Sequence, residues 1–394
     1  MAVVQSRQLS SGKTSSVDFQ GLRRTAVWLT SLTLGAALLR LLYLTGESLT
    51  ADEGFSVFLA RTTAVNFRHI LWRGEFNMAL YYGALRLWMH LGRGEFLVRL
   101  LSVLFATATV PVIYFLGVRL FKRSTALIAC LLLAIHPAHL MLSQRARSYP
   151  LVMLLVALSS LLFLRLLQEP TWVNWAGYAV LSAAAVYSHF FAVLIIFAQW
   201  LSLIFLAPRS LPRRALLTSL VLMLTLLVPA GVFLLQARDG GQVAWVTDLN
   251  RHQVLSVLYS LTLSKGASLL YILLWVAAIW RAFQPQPADR TWSYWFVMAW
   301  LFIPPAITVA VSVVKPLLMA RFLAVCIPAA VLLAAAGLSQ LARWSRPAAG
   351  VMLLLILLQS ASGIRFIYRQ IRFAEDWRGA TAYLLSGSKA VIWW

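Results

Sequence analysis

The stretch TAVWLTSLTLGAALLRLLYLTGESLTADEGFS, residues 25–56, decides the fold. An almost unbroken apolar run extends from Thr25 to Leu44, and two adjacent acids, Asp52 and Glu53, follow it. A helix rises about 1.5 Å per residue, so a run of roughly 20 residues crosses the ~30 Å hydrocarbon core of a bilayer. Similar Leu-rich runs recur along the 394 residues. They are continuous, whereas a β-barrel strand would alternate over about ten residues. The chain is 61% apolar and 12% charged, with a mean hydropathy of +0.80. Soluble domains are roughly half apolar and about a quarter charged. These features imply an all-α polytopic membrane protein.

With 34 bases against 12 acids, the net charge is +22. The bases sit in short loops between apolar runs, which argues against nucleic acid and for anionic membrane lipids or a phosphate-bearing lipid substrate. Cys130 and Cys326 lie inside apolar runs and have no metal-type spacing. The first run is too long for a signal-peptide core and lacks a small-x-small cleavage site, so it reads as an uncleaved anchor.

Arg23 and Arg24 precede the first run and place the N-terminus inside. Counting alternately from there predicts about 11 spans. Residues 1–24 are a cytoplasmic tail and residues 45–96 a long outer loop. That loop carries the amphipathic helix MALYYGALRLWMHLG, which is too short to cross. On this map RR, FKR and PRSLPRR fall inside, as the positive-inside rule expects, while Arg145, Arg147, Lys315 and Arg321 fall outside. Bases placed against the rule point to bound anions. Trp28, Tyr43, Trp172, Trp175, Trp292 and Trp295 cluster near span ends as an interfacial belt.

Carboxylates near membrane depth are usually interfacial, paired or functional. Asp52 is the candidate base, and its neighbour Glu53 either helps it or faces solvent. Glu75 and Asn77 precede the amphipathic helix, and oxygen ligands of this kind suit a divalent cation. In HPAHLMLSQRARSYPL, Arg145 and Arg147 diverge on a helix but share a side in an extended turn. A guanidinium offers phosphate a planar donor fork, and Tyr149 can add a hydroxyl. His136 and His139, spaced i and i+3, read mainly as local packing. His189, in the hairpin YSHFF, reads as a hydrogen-bonded core residue or as a metal ligand. Lys315 and Arg321, in KPLLMARF, complete a ring of outer cations with Arg147. P-loop, G-x-G-x-x-G and zinc motifs are missing.

The ordered segments LTADEGF, LYYGALRLW, EFLVRLLSVLF, HPAHLMLSQRARSYPL, YSHFFA, ARFL and EDWRGATAYL resemble the bacterial family-39-type membrane glycosyltransferases. These are relatives of the dolichyl-phosphate-mannose–protein mannosyltransferases and the lipid A aminoarabinose transferase. The resemblance covers about residue 25 onward. It implies a GT-C-type bundle over residues 25–364, with the active site on the periplasmic face and a polyprenyl-phosphate sugar as donor. It implies Asp52 as catalytic base, Arg147 and Arg321 near the donor phosphate, and a lipid, glycan or protein acceptor. Residues 365–394 then read as the start of a periplasmic segment, cut short at KAVIWW. NMALYY stands where many such proteins have Pro-Pro before LYY. A lipid phosphate is already a stabilised leaving group. One base for the acceptor hydroxyl and fixed positive charge for the phosphate therefore meet the chemical need, with or without a divalent cation. Two other readings stand beside this one: a transporter or flippase for an anionic lipid or saccharide, and a noncatalytic member of the family.

Overall fold

The computed structural model describes residues 19–205, 211–236, 246–262, 264–370 and 376–387. Residues 1–18 of the expected tail, part of the basic PRSLPRR turn and the final KAVIWW lie outside the described residues. Within them the protein is helical and has no strand. Helix α1 (Phe19–Leu41) leads to three short helices, α2 (Ala51–Arg61), α3 (Ala64–Ile70) and α4 (Ala79–Trp88). The chain then runs through α5 (Glu95–Leu120), α6 (Arg123–Ala134), α7 (Pro137–Ser143), α8 (Tyr149–Gln168), α9 (Trp172–Ser188) and α10 (Ala192–Ser202). Next come α11 (Arg213–Gln236), α12 (Arg251–Leu261), α13 (Ser268–Ala282) and α14 (Ala288–Ser312). The last helices are α15 (Ile327–Trp344), α16 (Arg346–Gln370) and α17 (Trp377–Gly387).

Every expected span coincides with a helix, but fewer of them satisfy the physical test for crossing. Among the described residues six helices are long and apolar enough: α5, α8, α11, α14, α16, and α15 with the 3₁₀ turn before it. The bent pair α6–α7, broken by 58°, makes a seventh. The remaining expected spans are α1, α9, α10 and α13. α10 (with its 3₁₀ extension to Phe205) and α13 are short apolar helices. α9 has 17 residues, and at ~1.5 Å per residue it falls short of a ~30 Å core. α1 has 23 residues but includes Arg23, Arg24 and Arg40. Its helix also starts at Phe19, so residues 19–24, assigned to the tail by sequence, are helical.

α15 is the axis of the bundle, nearly all of it buried, and packs against α13, α6, α14 and α16. Its run AVLLAAAGLS is small enough for close approach. A Cβ on Gly337 would sit 1.9 Å from the Leu274 carbonyl oxygen of α13. The bend between α6 and α7 is held by Arg40 of α1. This fully buried guanidinium donates to the carbonyls of Leu133 and Ala134 at the break, where the Leu133 carbonyl also accepts from the His136 amide. Arg40 Nη2 also lies 2.6 Å from His139 Nδ1, while His136 Nδ1 accepts from the His139 amide and caps α7. The His pair is therefore spent on local structure.

Candidate active site

The site grows from the N-terminus of α2. Thr50 is its N-cap and Glu53 is three residues on, the capping-box spacing. Glu53 Oε2 reaches back to accept from the Thr50 amide at 3.0 Å. The same carboxylate accepts from Arg99 Nε at 2.8 Å and Nη2 at 2.9 Å, and from the Ala146 amide at 2.9 Å. Neither partner of the pair is exposed beyond 2%. Arg99 also donates to the carbonyls of Leu44, Glu47 and Ser48, so it ties the loop before α2 to α5. Burial alone would raise the Glu53 carboxyl. The Arg99 guanidinium, with the Thr50 and Ala146 amides, overcomes this and holds it below the ordinary carboxylate range. Glu53, expected as a catalytic helper, is thus a satisfied structural anchor. Its oxygens already have partners.

Asp52 points elsewhere, because neighbours on a helix diverge by about 100°. It is half-exposed, and its Oδ2 accepts from Arg321 Nη1 at 3.1 Å. Arg321 comes from the segment before the 3₁₀ turn Phe322–Cys326, so the pair joins the first third of the chain to the last. Arg147 donates to the Asp52 carbonyl at 3.3 Å and to the Tyr82 hydroxyl oxygen at 3.5 Å. Tyr82, on α4, donates to Glu75 Oε2 at 3.1 Å. Asp52, Arg147, Arg321, Tyr82 and Glu75 therefore form one continuous constellation.

Arg145 is drawn the other way. It pairs with Glu47 at 2.9 Å and lies 3.8 Å from Glu53. The turn before α8 thus splits the two arginines, one toward the anchor and one toward Asp52. Lys315 stays outside the constellation. It is exposed at the end of α14, and its side chain makes no bond to the site among the described residues.

Tyr149 opens α8 and His189 caps the end of α9. Their rings are 5.7 Å apart, and His189 also packs against Phe191 and Phe322. His189 Nδ1 accepts from the Phe191 amide at 3.3 Å, and its Nε2 is buried without a partner. Burial, reinforced by the charges of Arg147 and Arg321, lowers its pKa to about 3, so the ring is neutral. The Tyr149 hydroxyl and Arg147 Nε are also buried without hydrogen-bond geometry to any partner, although the Arg147 charge lies close to the phenol. Burial lowers Arg147, but Tyr82, Tyr149, Asp52 and Glu75 outweigh it and leave its pKa raised.

Glu75 and His189, each expected as a candidate metal ligand, lie on different elements, the turn before α4 and the end of α9. Among the described residues no three His, Cys, Asp or Glu side chains converge on a common point. Burial raises the Glu75 carboxyl, and Asp52 adds to this against the Tyr82 hydrogen bond and the Arg147 charge. The positive charge felt by both Glu75 and His189 is Arg147. Asn77, also expected as an oxygen donor, instead accepts from the Phe190 amide at 2.7 Å and ties the hairpin to the amphipathic segment.

Beside Arg321 opens a cavity of about 860 Å³. Its walls include apolar Met141, Leu318 and Phe366, and polar His252, Tyr259 and Lys265, with no acid among them.

Sequence reasoning missed Arg99, Tyr82 and Arg378 as site builders. Arg99 had a signal: a lone cation inside the apolar run EFLVRLLSVLF needs a buried partner. Arg378 donates to the carbonyls of Thr45 and Glu47 and pairs with Glu95 at 2.7 Å. Nothing local in EDWRGATAYL announces that contact.

The bundle of long apolar helices is that of a multi-pass integral membrane protein, and its fold is of the GT-C type. The sequence model of the dolichyl-phosphate-mannose-protein mannosyltransferase family matches residues 79–233, from α4 into α11. Among solved structures, the chain is similar to ArnT from Cupriavidus metallidurans bound to undecaprenyl phosphate. The TM-score is 0.61 at 16% identity, over 84% of this chain and 63% of that one. It is similar to the oligosaccharyltransferase AglB from Archaeoglobus fulgidus, in complex with an inhibitory peptide and a dolichol-phosphate. There the TM-score is 0.59 at 14% identity, over 94% and 59% of the two chains. An Archaeoglobus fulgidus oligosaccharyltransferase tethered to an acceptor peptide matches with a TM-score of 0.55 at 13% identity, over 86% and 55%. The chain thus spans about three fifths of the length of the structures it matches. None of the curated proteins gives a significant match.

Proposed function

We propose that this protein transfers a sugar from a polyprenyl-phosphate donor to a hydroxyl acceptor on the extracytoplasmic face of the plasma membrane. Asp52 is the base, and Arg147 and Arg321 receive the phosphate. One observation carries the reading: Arg321 holds the Asp52 carboxylate and Arg147, from a distant part of the chain, holds its backbone carbonyl, beside buried polar atoms of Tyr149 and His189 that lack hydrogen-bond partners. Unsatisfied buried polar groups are uncommon in folded proteins, and a cluster of them is a place for a ligand to complete.

The bond changes balance without further reactants. Asp52 takes the acceptor hydroxyl proton while the acceptor oxygen attacks the anomeric carbon. The carbon–oxygen bond to the lipid phosphate breaks, and its electron pair leaves on the phosphate between the guanidiniums. Attack opposite the leaving group inverts the anomeric centre. Arg321 has two candidate anions, Asp52 and the incoming phosphate. A phosphate that draws Arg321 away removes a stabilising charge from Asp52 and makes it a stronger base. Donor binding would thereby switch on the base. The cavity beside Arg321, without an acid among its described lining residues, suits the anionic donor lipid. Glu53 takes no chemical part and keeps α2 in place.

The test is Asp52→Asn in membranes, supplied with prenyl-phosphate sugars and read by mass spectrometry of envelope lipids and glycans. Transfer falls about 10²–10⁴-fold if Asp52 is a general base. Full activity in the variant overturns the assignment. Movement of the donor lipid across vesicles, with no new glycosidic bond, would replace enzyme with transporter.

A further inference from the structure

A second cavity, of about 730 Å³, lies between α1 and α16. None of Asp52, Arg147 and Arg321 lines it, so it is separate from the site above. Its deeper wall is apolar, formed by Leu39, Ile135, Leu357 and Ile364. Its rim carries Arg365 and Arg369, both exposed and one helical turn apart on α16. Tyr43 and Tyr368 stand at the same rim with their rings 5.3 Å apart. No acid lines the cavity, and neither arginine pairs with a carboxylate among the described residues.

The rim belongs to the Asp52 end of the bundle. Tyr43 immediately precedes the loop that Arg99 and Arg378 clamp before α2. Tyrosines and arginines at one level, with an apolar wall behind them, match the layering of a membrane interface. Two further observations point to an occupant. The Ser360 Oγ lines the cavity, is 1% exposed, and has no hydrogen-bond partner. Only 11% of the apolar window of α16 is buried by protein, the least among the spanning helices.

We infer that this groove binds an anionic glycerophospholipid of the leaflet on the Asp52 side. The phosphate lies across Arg365 and Arg369, and an acyl chain runs down the wall formed by Leu357 and Ile364. Two guanidiniums spaced i and i+4 present several donors to one phosphate. A phosphate-bearing prenyl donor would also suit the charge. Seated here, however, its phosphate would lie in a cavity that neither Arg147 nor Arg321 lines, away from the cations proposed to receive it, so, resting on that reading, the bilayer lipid is the occupant.

The test uses the full chain, purified in neutral detergent, stripped of lipid and read by native mass spectrometry. Phosphatidylglycerol, phosphatidylcholine and undecaprenyl phosphate are added separately and in competition. Phosphatidylglycerol is expected to stay bound, and the double variant R365Q/R369Q to retain it about tenfold less or worse, since each charge-assisted bond contributes substantially. Ala361→Phe, which narrows the groove while leaving both arginines, should lower retention as well. Equal retention by the parent and R365Q/R369Q overturns the site. Displacement of phosphatidylglycerol by undecaprenyl phosphate overturns the occupant. Sugar transfer enters none of these readouts, so failure of the lipid site and failure of the proposed activity are distinguishable.

Discussion

Replacing Glu53 with Gln keeps the shape of the side chain and removes its charge. Asp52→Asn makes the same chemical change one residue away, so the two variants separate anchor from base. Glu53 Oε1 and Oε2 together accept from Arg99, Thr50 and Ala146, and the pair with Arg99 is all but excluded from water. An amide nitrogen there faces N–H donors and leaves the guanidinium buried without its counter-charge. Breaking a buried pair by altering one partner costs about 3–5 kcal/mol. Since about 1.4 kcal/mol is tenfold, the local opening should become roughly a hundred- to several-thousand-fold more frequent. The Asp52–Arg321 pair is 49% and 33% exposed, and exposed pairs contribute only about 0–1 kcal/mol. Amide hydrogen exchange in detergent micelles reads both. In Glu53→Gln the Ala146 amide and the first turn of α2 should lose protection by that factor, while Asp52→Asn leaves them close to the parent. Exchange at Ala146 within about threefold of the parent in Glu53→Gln, less than ~1 kcal/mol, refutes the anchor. Loss of protection in Asp52→Asn instead would reverse the two roles.

Arg321→Lys keeps charge but loses the planar fork, and transfer should fall about 10²–10³-fold if the guanidinium stabilises the departing phosphate; a steady-state assay with saturating donor checks it. Arg378→Ala frees the Thr45 and Glu47 carbonyls and Glu95, so exchange should rise in residues 45–48 while the Ala146 amide stays protected. Acid melts test the titrations. The folded Glu53 carboxyl lies below its ordinary value of 4.5, so its stabilisation is whole above that pH, fades as pH falls through the lowered pKa, and disappears from the profile in Glu53→Gln. His189 acts in the same direction, through burial rather than pairing: the unfolded ring takes a proton below 6.5 and the folded ring only near 3. Stability therefore drops as pH falls between those values, and His189→Phe should flatten that limb.

The sequence alone determined that this is a bundle of apolar helices, because a run such as residues 149–168 has one stable home, a bilayer. The start of α2 is also encoded locally, although residues 51–61 are expected from the sequence only as part of the long outer loop. Thr50 and Glu53 carry the capping-box spacing, and Asp52 falls on a different face as a matter of helix geometry. Local chemistry is sufficient for both results. It did not suffice to separate crossing helices from shorter ones, since length against bilayer thickness, and the 58° break between α6 and α7, depend on how the ends are held. Tertiary structure alone decided which of the outer cations serve the acid. Arg145 and Arg147 are two residues apart and look equivalent in the chain. The turn before α8 sends one to the Glu47 carboxylate and the other to the Asp52 carbonyl and the Tyr82 hydroxyl. Arg321 reaches Asp52 across most of the chain, and Lys315, six positions earlier, does not. The physical reason is that ion pairing acts over a few ångströms in space. Contacts between residues 52 and 321 are set by how α5, α8 and α15 pack, which no local pattern encodes.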